Sequence, residues 1–405
     1  MPTRLETVSR RSLRERCSSV TASLYSETIS SPAPAVFVVG GSGFFGRLLL
    51  EDLLHHSNAH LIVGGRNERR LRATCRELGD EFAPRLTPEP CDLSDPASIR
   101  PALKQARLTI CAAGPYQAIP STLPDLCLAL DVPYIDLSDD RPFVMRVRQN
   151  VRSRSDGDVL PAMCTGWSAV PALSAALTRI AADSMECVDA ISIAIAPGNR
   201  QPRAVGTVTS LLHSVSHRFT ILEDGRWREV SGSSLPRPFR FPEPVGRRTG
   251  FLVDVPDHEL FPELFAARSV TFRVGSELTI LNWAVSVLAC LSRRGWVNRW
   301  DHWTGPLRRC MALAGFLGSD SGAVGVLVSG RRDGRTALVR ASVVADREGR
   351  RIPVMPAAIM AQRLLTNPTC CRGLVELDRW IDRTCLAAEC TRRSLRLVVE
   401  DSVAS

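Results

Sequence analysis

Lysine is almost absent from this sequence of 405 residues, in which Lys104 is the single example among 51 basic residues. The other fifty are arginines, and acidic residues are interspersed among them along the whole chain. The formal net charge of +9 suggests an acidic partner. A nucleic-acid-binding surface, however, normally shows as a block or stripe of like charge. No such block stands out, so we expect no nucleic-acid partner.

Cysteine pairs at the spacing of metal or redox motifs are also lacking. The thirteen cysteines contain no C-x-x-C motif and no cysteine at zinc-site spacing from a histidine. A reduced, cytoplasmic compartment without a bound metal fits this pattern best. The adjacent Cys370 and Cys371 are interpreted as packing residues. His213 and His217 lie four residues apart on a predicted helix but lack further ligands nearby in the sequence.

Uninterrupted apolar runs of membrane-spanning length are lacking as well. Residues 159–178 are uncharged but contain two prolines and a glycine, which favours a strand, a loop and a helix. Residues 278–292 are too few to span a bilayer. Tryptophans and arginines follow them, a composition also found in helices that lie on membranes, so peripheral membrane contact remains an alternative. These residues are Trp296, Trp300, Trp303, Arg293, Arg294 and Arg299.

The order of apolar patterns predicts the fold class. Residues 1–34 are rich in serine and arginine and are expected to form a flexible tail. From residue 35 onward, short β-rich apolar runs alternate with amphipathic segments of helical length. This alternation is typical of an α/β fold with a doubly wound parallel Rossmann sheet, which we assign to residues 35–173.

The alternation ends near residue 174. The next 177 residues, 174–350, have several strand patterns that can pair antiparallel, and Asp333-Gly334 predicts a hairpin turn between two of them. We therefore expect a second, α+β domain for substrate binding or for homodimer formation. The patterns predict strands at 187–196, 270–274, 323–329 and 337–345, a helix at 204–216, and loops across 225–262.

A glycine-rich loop follows the first predicted strand directly. Its motif is G-x-G-x-x-G on Gly41, Gly43 and Gly46, with Ser42, Phe44 and Phe45 between them. In a strand–turn–helix context the first glycine permits a tight turn, the second lets the backbone approach a pyrophosphate, and the third lets the helix pack closely. The free amides and the dipole of the helix start then hold phosphate groups. The loop therefore predicts a dinucleotide site.

The end of the second predicted strand indicates which dinucleotide binds. An NAD site expects an acidic residue about 20 residues after the glycines. Here the strand ends in Gly65-Arg66-Asn67, without an acid. The Arg66 guanidinium suits a 2′-phosphate, with Arg69 or Arg70 in support, so we predict NADP. The alternative is that Arg66 merely ends a strand in an arginine-rich protein.

Two further loops fall at predicted strand ends, where doubly wound sheets bind ligands. Asp92 and Leu93 are predicted to lie beside the adenine, with a helix cap before Pro96 as the alternative for Asp92. Ala113 and Gly114 are predicted to cross the nicotinamide half.

Hydride transfer requires a proton donor, and Tyr116 is the best placed candidate by sequence. It follows Gly114-Pro115, and its alternative role is an aromatic wall for the nicotinamide. Asp136, Ser138 and Asp139 follow the next strand and either bind a substrate amine or cap the next helix. Trp167 is expected to line the cleft between the domains.

Five of these segments together resemble the NADP-binding domain of saccharopine dehydrogenase-like oxidoreductases. They are the glycine loop, Gly65-Arg66-Asn67, Cys91-Asp92-Leu93, Ala113-Gly114-Pro115-Tyr116 and the run from Tyr134 to Ser138. The resemblance covers the first 170 residues well and extends more loosely to residues 318–322 and 349–365. It implies a Rossmann domain, an inserted α+β domain, and a C-terminal helical segment, residues 351–405, that returns to the first domain.

The resemblance implies an NADP(H)-dependent oxidoreductase that reduces an imine or an enoyl or carbonyl group of a small metabolite. Lysine-forming members use a lysine and histidine pair, which the lone Lys104 does not support. The alternative is a redox-silent NADP-binding protein, associated with a membrane, in which the cofactor serves stability or sensing.

Overall fold

The computed structural model describes residues 33–154, 159–200, 217–278 and 318–403. Several predictions fall outside these residues. They concern the tail before residue 33, the helix at 204–216 with His213, and the tryptophan-rich region after residue 278. In the part of the chain that is described, no helix is both long and apolar enough to cross a membrane.

The first half of the chain forms the predicted Rossmann sheet. Six strands pair in parallel in the order β3-β2-β1-β4-β5-β6, so the strand order reverses between β1 and β4. The central strands are buried on both faces because apolar residues follow one another without alternation, as in Val36 to Val39. The strands are β1 Ala35–Val39, β2 His60–Gly65, β3 Leu86–Pro90, β4 Leu108–Cys111, β5 Tyr134–Asp136 and β6 Met163–Cys164.

Helices connect these strands, and local chemistry determines where they begin. The side chains of Asn67 and Asp95 each accept a hydrogen bond from an amide of the first helical turn. Pro96 follows Asp95 at the first helical position, where its missing amide hydrogen costs nothing. The helices are α1 Phe44–His56, α2 Glu68–Glu77, α3 Pro96–Gln105, α4 Thr122–Ala129, α5 Arg141–Arg154 and α6 Ser174–Ala182.

The second half forms a mixed sheet in the order β10-β11-β12-β7-β13-β14-β15, and β8 joins it by pairing with β12 and β9. Asp333 and Gly334 have positive φ angles of 52° and 71° and form the predicted hairpin turn. The strands are β7 Cys187–Pro197, β8 Arg218–Glu223, β9 Arg226–Ser231, β10 Arg237–Arg240, β11 Arg247–Leu252, β12 Ser269–Val274, β13 Gly322–Arg332, β14 Arg335–Ala345 and β15 Leu395–Val403. The helices are α7 Asp257–Phe265, α8 Met355–Thr366 and α9 Arg383–Arg392.

Two secondary-structure predictions are wrong. Residues 225–262 are not loops, because they contain β9, β10, β11 and the start of α7. Arginines on the exposed face of these strands hide the alternation that normally identifies a strand. Residues 351–405 are not helical throughout, since α8 and α9 are followed by β15, which pairs antiparallel with β14.

A single apolar cluster joins the layers of both sheets. Trp167 is fully buried within it, and its ring lies 6.0 Å from that of Trp380. The prediction that Trp167 lines the cleft between the domains is therefore wrong. Arg141, the first residue of α5, also links the two halves. Its guanidinium donates to the Glu259 carboxylate at 2.7 Å and to the Thr220 carbonyl oxygen at 3.0 Å.

A buried ion pair fastens the C-terminal part of the chain to α1. The Arg393 guanidinium donates to both Asp52 oxygens at 2.7 and 2.9 Å, and it also contacts Glu389. Burial acts to raise the pKa of Asp52, but the hydrogen bonds from His56 and Arg393 outweigh it and hold the pKa below its usual value. The carboxylate therefore stays charged and paired.

We expect the Arg393→Met variant to lose about 3–5 kcal/mol of unfolding free energy, because it leaves Asp52 buried without its partner. The Arg392→Met variant is the matched control, since Arg392 is 52% exposed and contacts Glu389 only at 3.7 Å. Adding Asp52→Leu to Arg393→Met should restore much of the loss, because no buried charge remains. Urea unfolding measures all three, and equal stabilities of the two single variants would contradict the assignment.

Candidate functional site

The loop between β1 and α1 brings backbone groups into unusually close contact. Gly40 has a φ of +81°, and a Cβ on it would lie 2.5 Å from the Ala113 amide nitrogen. The motif predicted that Gly41 makes the tight turn, but Gly40 makes it. Gly41 is required for packing instead, because a Cβ there would lie 2.6 Å from the Val63 side chain.

The first turn of helix α1 packs in direct contact with the loop that follows β1. A Cβ on Gly46 would lie 2.1 Å from the Gly40 carbonyl oxygen, so no other residue fits without moving the backbone. Gly43 precedes the helix in extended conformation, with a φ of −78° and a ψ of 173°, and no side chain caps the helix. Close backbone contacts thus require glycine at Gly40, Gly43 and Gly46. Their G-x-x-G-x-x-G spacing is visible in the sequence, but it was not used to predict the turn.

The N-terminus of α1 carries unused hydrogen-bond donors. The amides of Phe44, Phe45 and Gly46 make no hydrogen bond within the described residues. The Ser42 hydroxyl lies in the same loop and is also without a partner there. Such donors at the positive end of a helix dipole form a site for a phosphate or pyrophosphate.

The carboxyl end of β2 adds a free cation. Arg66 is exposed and makes no hydrogen bond or ion pair with the described residues. The nearest acid in the sequence, Glu68, accepts hydrogen bonds of 2.6 and 3.0 Å from Arg72. Arg69 and Arg70 are exposed beside it. Asn67 uses its side-chain oxygen to accept from the Arg70 amide at 2.9 Å and its carbonyl oxygen to accept from the Leu71 amide at 3.0 Å, so its backbone N–H and its side-chain NH₂ group remain for a ligand.

The loops after β3 and β4 lie on either side of the β1 loop. Asp92 accepts a hydrogen bond from the Ser94 amide at 2.9 Å, whereas Asp95 caps α3, so the alternative of a cap before Pro96 does not apply to Asp92. Leu93 packs against the core at the same edge. After β4, Gly114 is exposed, and apart from its chain neighbours no atom of the described residues lies within 4 Å of the position that its Cβ would take.

Tyr116 is buried and its hydroxyl is fully engaged. It donates to the Cys111 carbonyl oxygen at 2.6 Å and accepts from the Leu137 amide at 3.0 Å. Burial raises the pKa of Tyr116 well above its usual value. The hydroxyl thus ties the loop after β4 to the loop after β5, which favours a positioning role over proton donation.

Asp136 makes a similar connection one strand further. One oxygen accepts from the amides of Ser138 and Gly166 at 3.0 and 2.8 Å, while the other has no partner within the described residues. Burial raises the pKa of Asp136 to about 6. Asp140, rather than Asp136, Ser138 or Asp139, caps α5 by accepting from the Phe143 amide at 2.9 Å. Asp139 keeps exposed surface at this edge, while burial of its carboxyl group raises its pKa above the usual value.

The fold therefore gathers the predicted residues at one edge of the sheet. The loops after β1, β2, β3, β4 and β5 all leave the carboxyl ends of parallel strands, and the order reverses between β1 and β4. That is the ligand-binding position of doubly wound sheets. Across the described ranges, no three His, Cys, Asp or Glu side chains form a metal-binding group. The arrangement defines a Rossmann-type dinucleotide-binding protein.

Comparison with known proteins specifies the family. Residues 36–156 match the model of the saccharopine dehydrogenase NADP binding domain. This domain of the chain thus belongs to that family, as the sequence motifs predicted. Because the family is that of an NADP-binding domain, the cofactor of the site is NADP. The glycine loop, the first amides of α1 and the exposed Arg66, which have no partners among the described residues, fit this cofactor.

Three similar proteins each match about a third of this chain. A probable mitochondrial saccharopine dehydrogenase-like oxidoreductase from Arabidopsis thaliana is 26% identical over 157 residues, 35% of this chain and 33% of that protein. A lipid droplet localized protein from Caenorhabditis elegans is 24% identical over 34% of each chain. A saccharopine dehydrogenase-like oxidoreductase from Mus musculus is 26% identical over 33% of this chain and 34% of its own. The chain spans about a third of the length of these relatives.

We expect the Asp136→Asn variant to remove a pH dependence of stability. Its amide oxygen can still accept from both amides, but it does not titrate. Because burial raises the pKa of Asp136 from 3.8 to about 6, the folded protein keeps a proton that the unfolded chain has lost. The stability of the original protein relative to the variant should fall by about 3 kcal/mol as the pH rises from about 4 to about 6, and then level off.

Urea unfolding of both proteins at a series of pH values measures this difference. Other titrating groups are common to the two proteins and cancel in the comparison. A difference in stability that does not change with pH would contradict the assignment of Asp136.

Proposed function

We propose that this chain is an NADP(H)-dependent oxidoreductase that reduces an imine, or an enoyl or carbonyl group, of a small metabolite. The observation that carries the proposal is the exposed Arg66 guanidinium at the end of β2, which has no partner among the described residues. It lies at the same sheet edge as three amides at the start of α1 that make no hydrogen bond in the described part of the chain. A dinucleotide with a third phosphate uses both, because the α1 amides bind the pyrophosphate and the Arg66 guanidinium binds the 2′-phosphate.

The other loops of this edge then have separate roles. We assign the pyrophosphate to the Ser42 hydroxyl and the amides of Phe44, Phe45 and Gly46, and the 2′-phosphate to Arg66 with Asn67 beside it. Asp92 and Leu93 flank the adenine. Ala113 and Gly114 pass along the nicotinamide half, where the open space beside Gly114 leaves room for a ring. When bound, NADPH supplies the hydride.

The proton donor is a separate question. Tyr116 was predicted for this role, and that prediction remains untested. For Tyr116 to donate, its bond to the Cys111 carbonyl oxygen must break, so we propose that it holds the nicotinamide-side loop in position. Asp139 is the carboxyl group that stays exposed after β5, and it is placed to bind a substrate amine or imine.

Contacts between the halves of the chain support a small substrate at this edge. Arg141, which follows the β5 loop, binds Glu259 and the Thr220 carbonyl oxygen of the second half. Its guanidinium also lies 3.3 Å from Asp254. The second half therefore approaches the nicotinamide side, where it can enclose a substrate and exclude water. A cytoplasmic location, peripheral membrane contact and a homodimer remain predictions.

We expect the Arg66→Ala variant to bind NADPH roughly ten- to hundredfold more weakly, since a charged hydrogen bond to the 2′-phosphate is lost. Its affinity for NADH should not change. The Arg72→Ala variant is the matched control, because Arg72 lies on α2 nearby but is paired with Glu68. Nicotinamide fluorescence measures both affinities. An unchanged preference for NADPH in Arg66→Ala would place the phosphate contact elsewhere.

The reductase part of the proposal is tested by isotope transfer. Deuterated NADPH is incubated with the protein and a panel of imines, carbonyl compounds and enoyl thioesters, and products are examined by mass spectrometry. Transfer of one deuterium to a product supports the proposal. Tight NADPH binding without transfer to any member of the panel would overturn the reductase assignment and support a redox-silent NADP-binding protein.

A further inference from the structure

Strand β15 forms one edge of the second sheet, and in the described part of the chain it pairs only with β14. Its nine residues follow β14 in a continuous register without a bulge. The amides and carbonyl groups on its other side therefore have no strand to pair with among the described residues. A long, regular edge strand of this kind is a template for the strand of another chain.

Three other edge strands carry protection that β15 lacks. Strand β3 contains Pro88 and Pro90, and β10 contains Pro238 within only four residues. Strand β9 is charged at three of its six positions. Proline has no amide hydrogen to donate, and charges oppose further pairing, so both features discourage the addition of a strand. Strand β15 has no proline and no lysine, and its centre is the apolar run 397–399.

The sequence of β15 is complementary to a second copy of itself. A twofold axis perpendicular to the sheet makes the two strands antiparallel and keeps each side chain on its own face of the sheet. With Val398 on this axis, Arg396 lies opposite Glu400 of the second copy. Leu397 then lies opposite Val399 of the second copy. Both of these apolar side chains pack against the core, so their contact continues the core across the axis.

The neighbouring registers are less favourable. Because side chains alternate between the two faces, the axis moves along the strand by whole residues. With Val399 on the axis, Leu397 would lie opposite Asp401 of the second copy. With Leu397 on the axis, Arg396 would lie opposite Val398. The register centred on Val398 is the one of these three that brings opposite charges together, which stabilises cross-strand pairs.

The charges of this register are accessible and already balanced. The side chains of Arg396 and Glu400 are 47% and 46% exposed. Within its own chain, Arg396 contacts Asp346 at 2.7 Å and Glu400 contacts Arg340 at 2.6 Å. A contact between the two copies therefore joins existing ion pairs and buries no unpaired charge.

The least favourable pair lies at the ends of the strand, where Asp401 of one copy is opposite Leu395 of the other. Leu395 is buried in its own chain, and Asp401 is paired with Arg332. Both side chains are thus accommodated before the copies meet, so this pair does not determine the register.

We propose that the chain forms a homodimer through the free side of β15, with the twofold axis at Val398. The two second-half sheets then become one continuous sheet that crosses the interface, a mode of association known as β-augmentation. None of the residues assigned to the cofactor lies on β15. The proposal is therefore independent of the proposed reductase function.

Sedimentation velocity over a range of concentrations tests the association of the whole chain. We expect a species of twice the chain mass of 44.3 kDa. In the Val398→Lys variant two ammonium groups meet at the axis, so we expect the dimer to dissociate at least roughly tenfold more readily. Edge strands tolerate lysine, so the fold of each copy should be unaffected. Thr336→Lys is the matched control, because Thr336 is exposed on β14, away from the axis.

A charge exchange tests the register itself. In Arg396→Glu two acidic residues face each other in both cross-strand pairs, and in Glu400→Arg two arginines do. We expect each variant alone to dimerise roughly tenfold more weakly than the original chain. In an equimolar mixture the acidic residues of one variant face the arginines of the other, so heterodimers should form. Changes to the ion pairs within each chain are the same before and after mixing, so they cannot produce this recovery.

Four results would overturn the proposal. They are a chain that stays monomeric at all concentrations, a dimer that Val398→Lys leaves unchanged, equal weakening by Thr336→Lys, and a mixture of the two charge variants that forms no heterodimer. The mixing experiment remains decisive if Val398→Lys fails to fold. Each of these results is measured without cofactor or substrate, so none depends on whether the Rossmann domain supports hydride transfer.

Discussion

The contact between Gly46 and the Gly40 carbonyl oxygen is the constraint on which the cofactor site depends. It brings the first turn of α1 against the end of β1, at a distance that excludes any side chain at residue 46. The first amides of this helix, at the carboxyl end of β1, have no acceptor among the residues that the structure describes. The same contact therefore fixes the loop conformation and leaves the amides at the start of α1 available to bind an anion.

A few of the many arginines have identifiable structural roles. Arg393 is buried against Asp52 and attaches α9 to α1, whereas Arg141 links the start of α5 to the second half of the chain. Arg66 differs from these because it is exposed and has no carboxylate partner in the described residues. Arginines that pair within the chain hold the fold together, whereas Arg66 lies at the sheet edge where a ligand can reach it.

The Rossmann half was predictable because its strands are continuous apolar runs and its glycine loop follows one of them directly. The hairpin at Asp333-Gly334 was predictable for a similar local reason. Strands rich in arginine between residues 225 and 262 were missed, since half-exposed strands at a sheet edge tolerate charge on one face. β15 was missed because its place depends on β14, which is distant in sequence. The hydrogen bonds of Tyr116 and Asp136 join loops that only the folded sheet brings together.

The central claim is that the edge of this sheet recognises a 2′-phosphate as well as a pyrophosphate. Calorimetric titration with adenosine 2′,5′-bisphosphate and with adenosine 5′-monophosphate tests it most directly, because the two ligands differ only in that phosphate. The account predicts that the bisphosphate binds at least about tenfold more tightly, the factor expected for one charge-assisted contact. Equal affinities for the two ligands would contradict it.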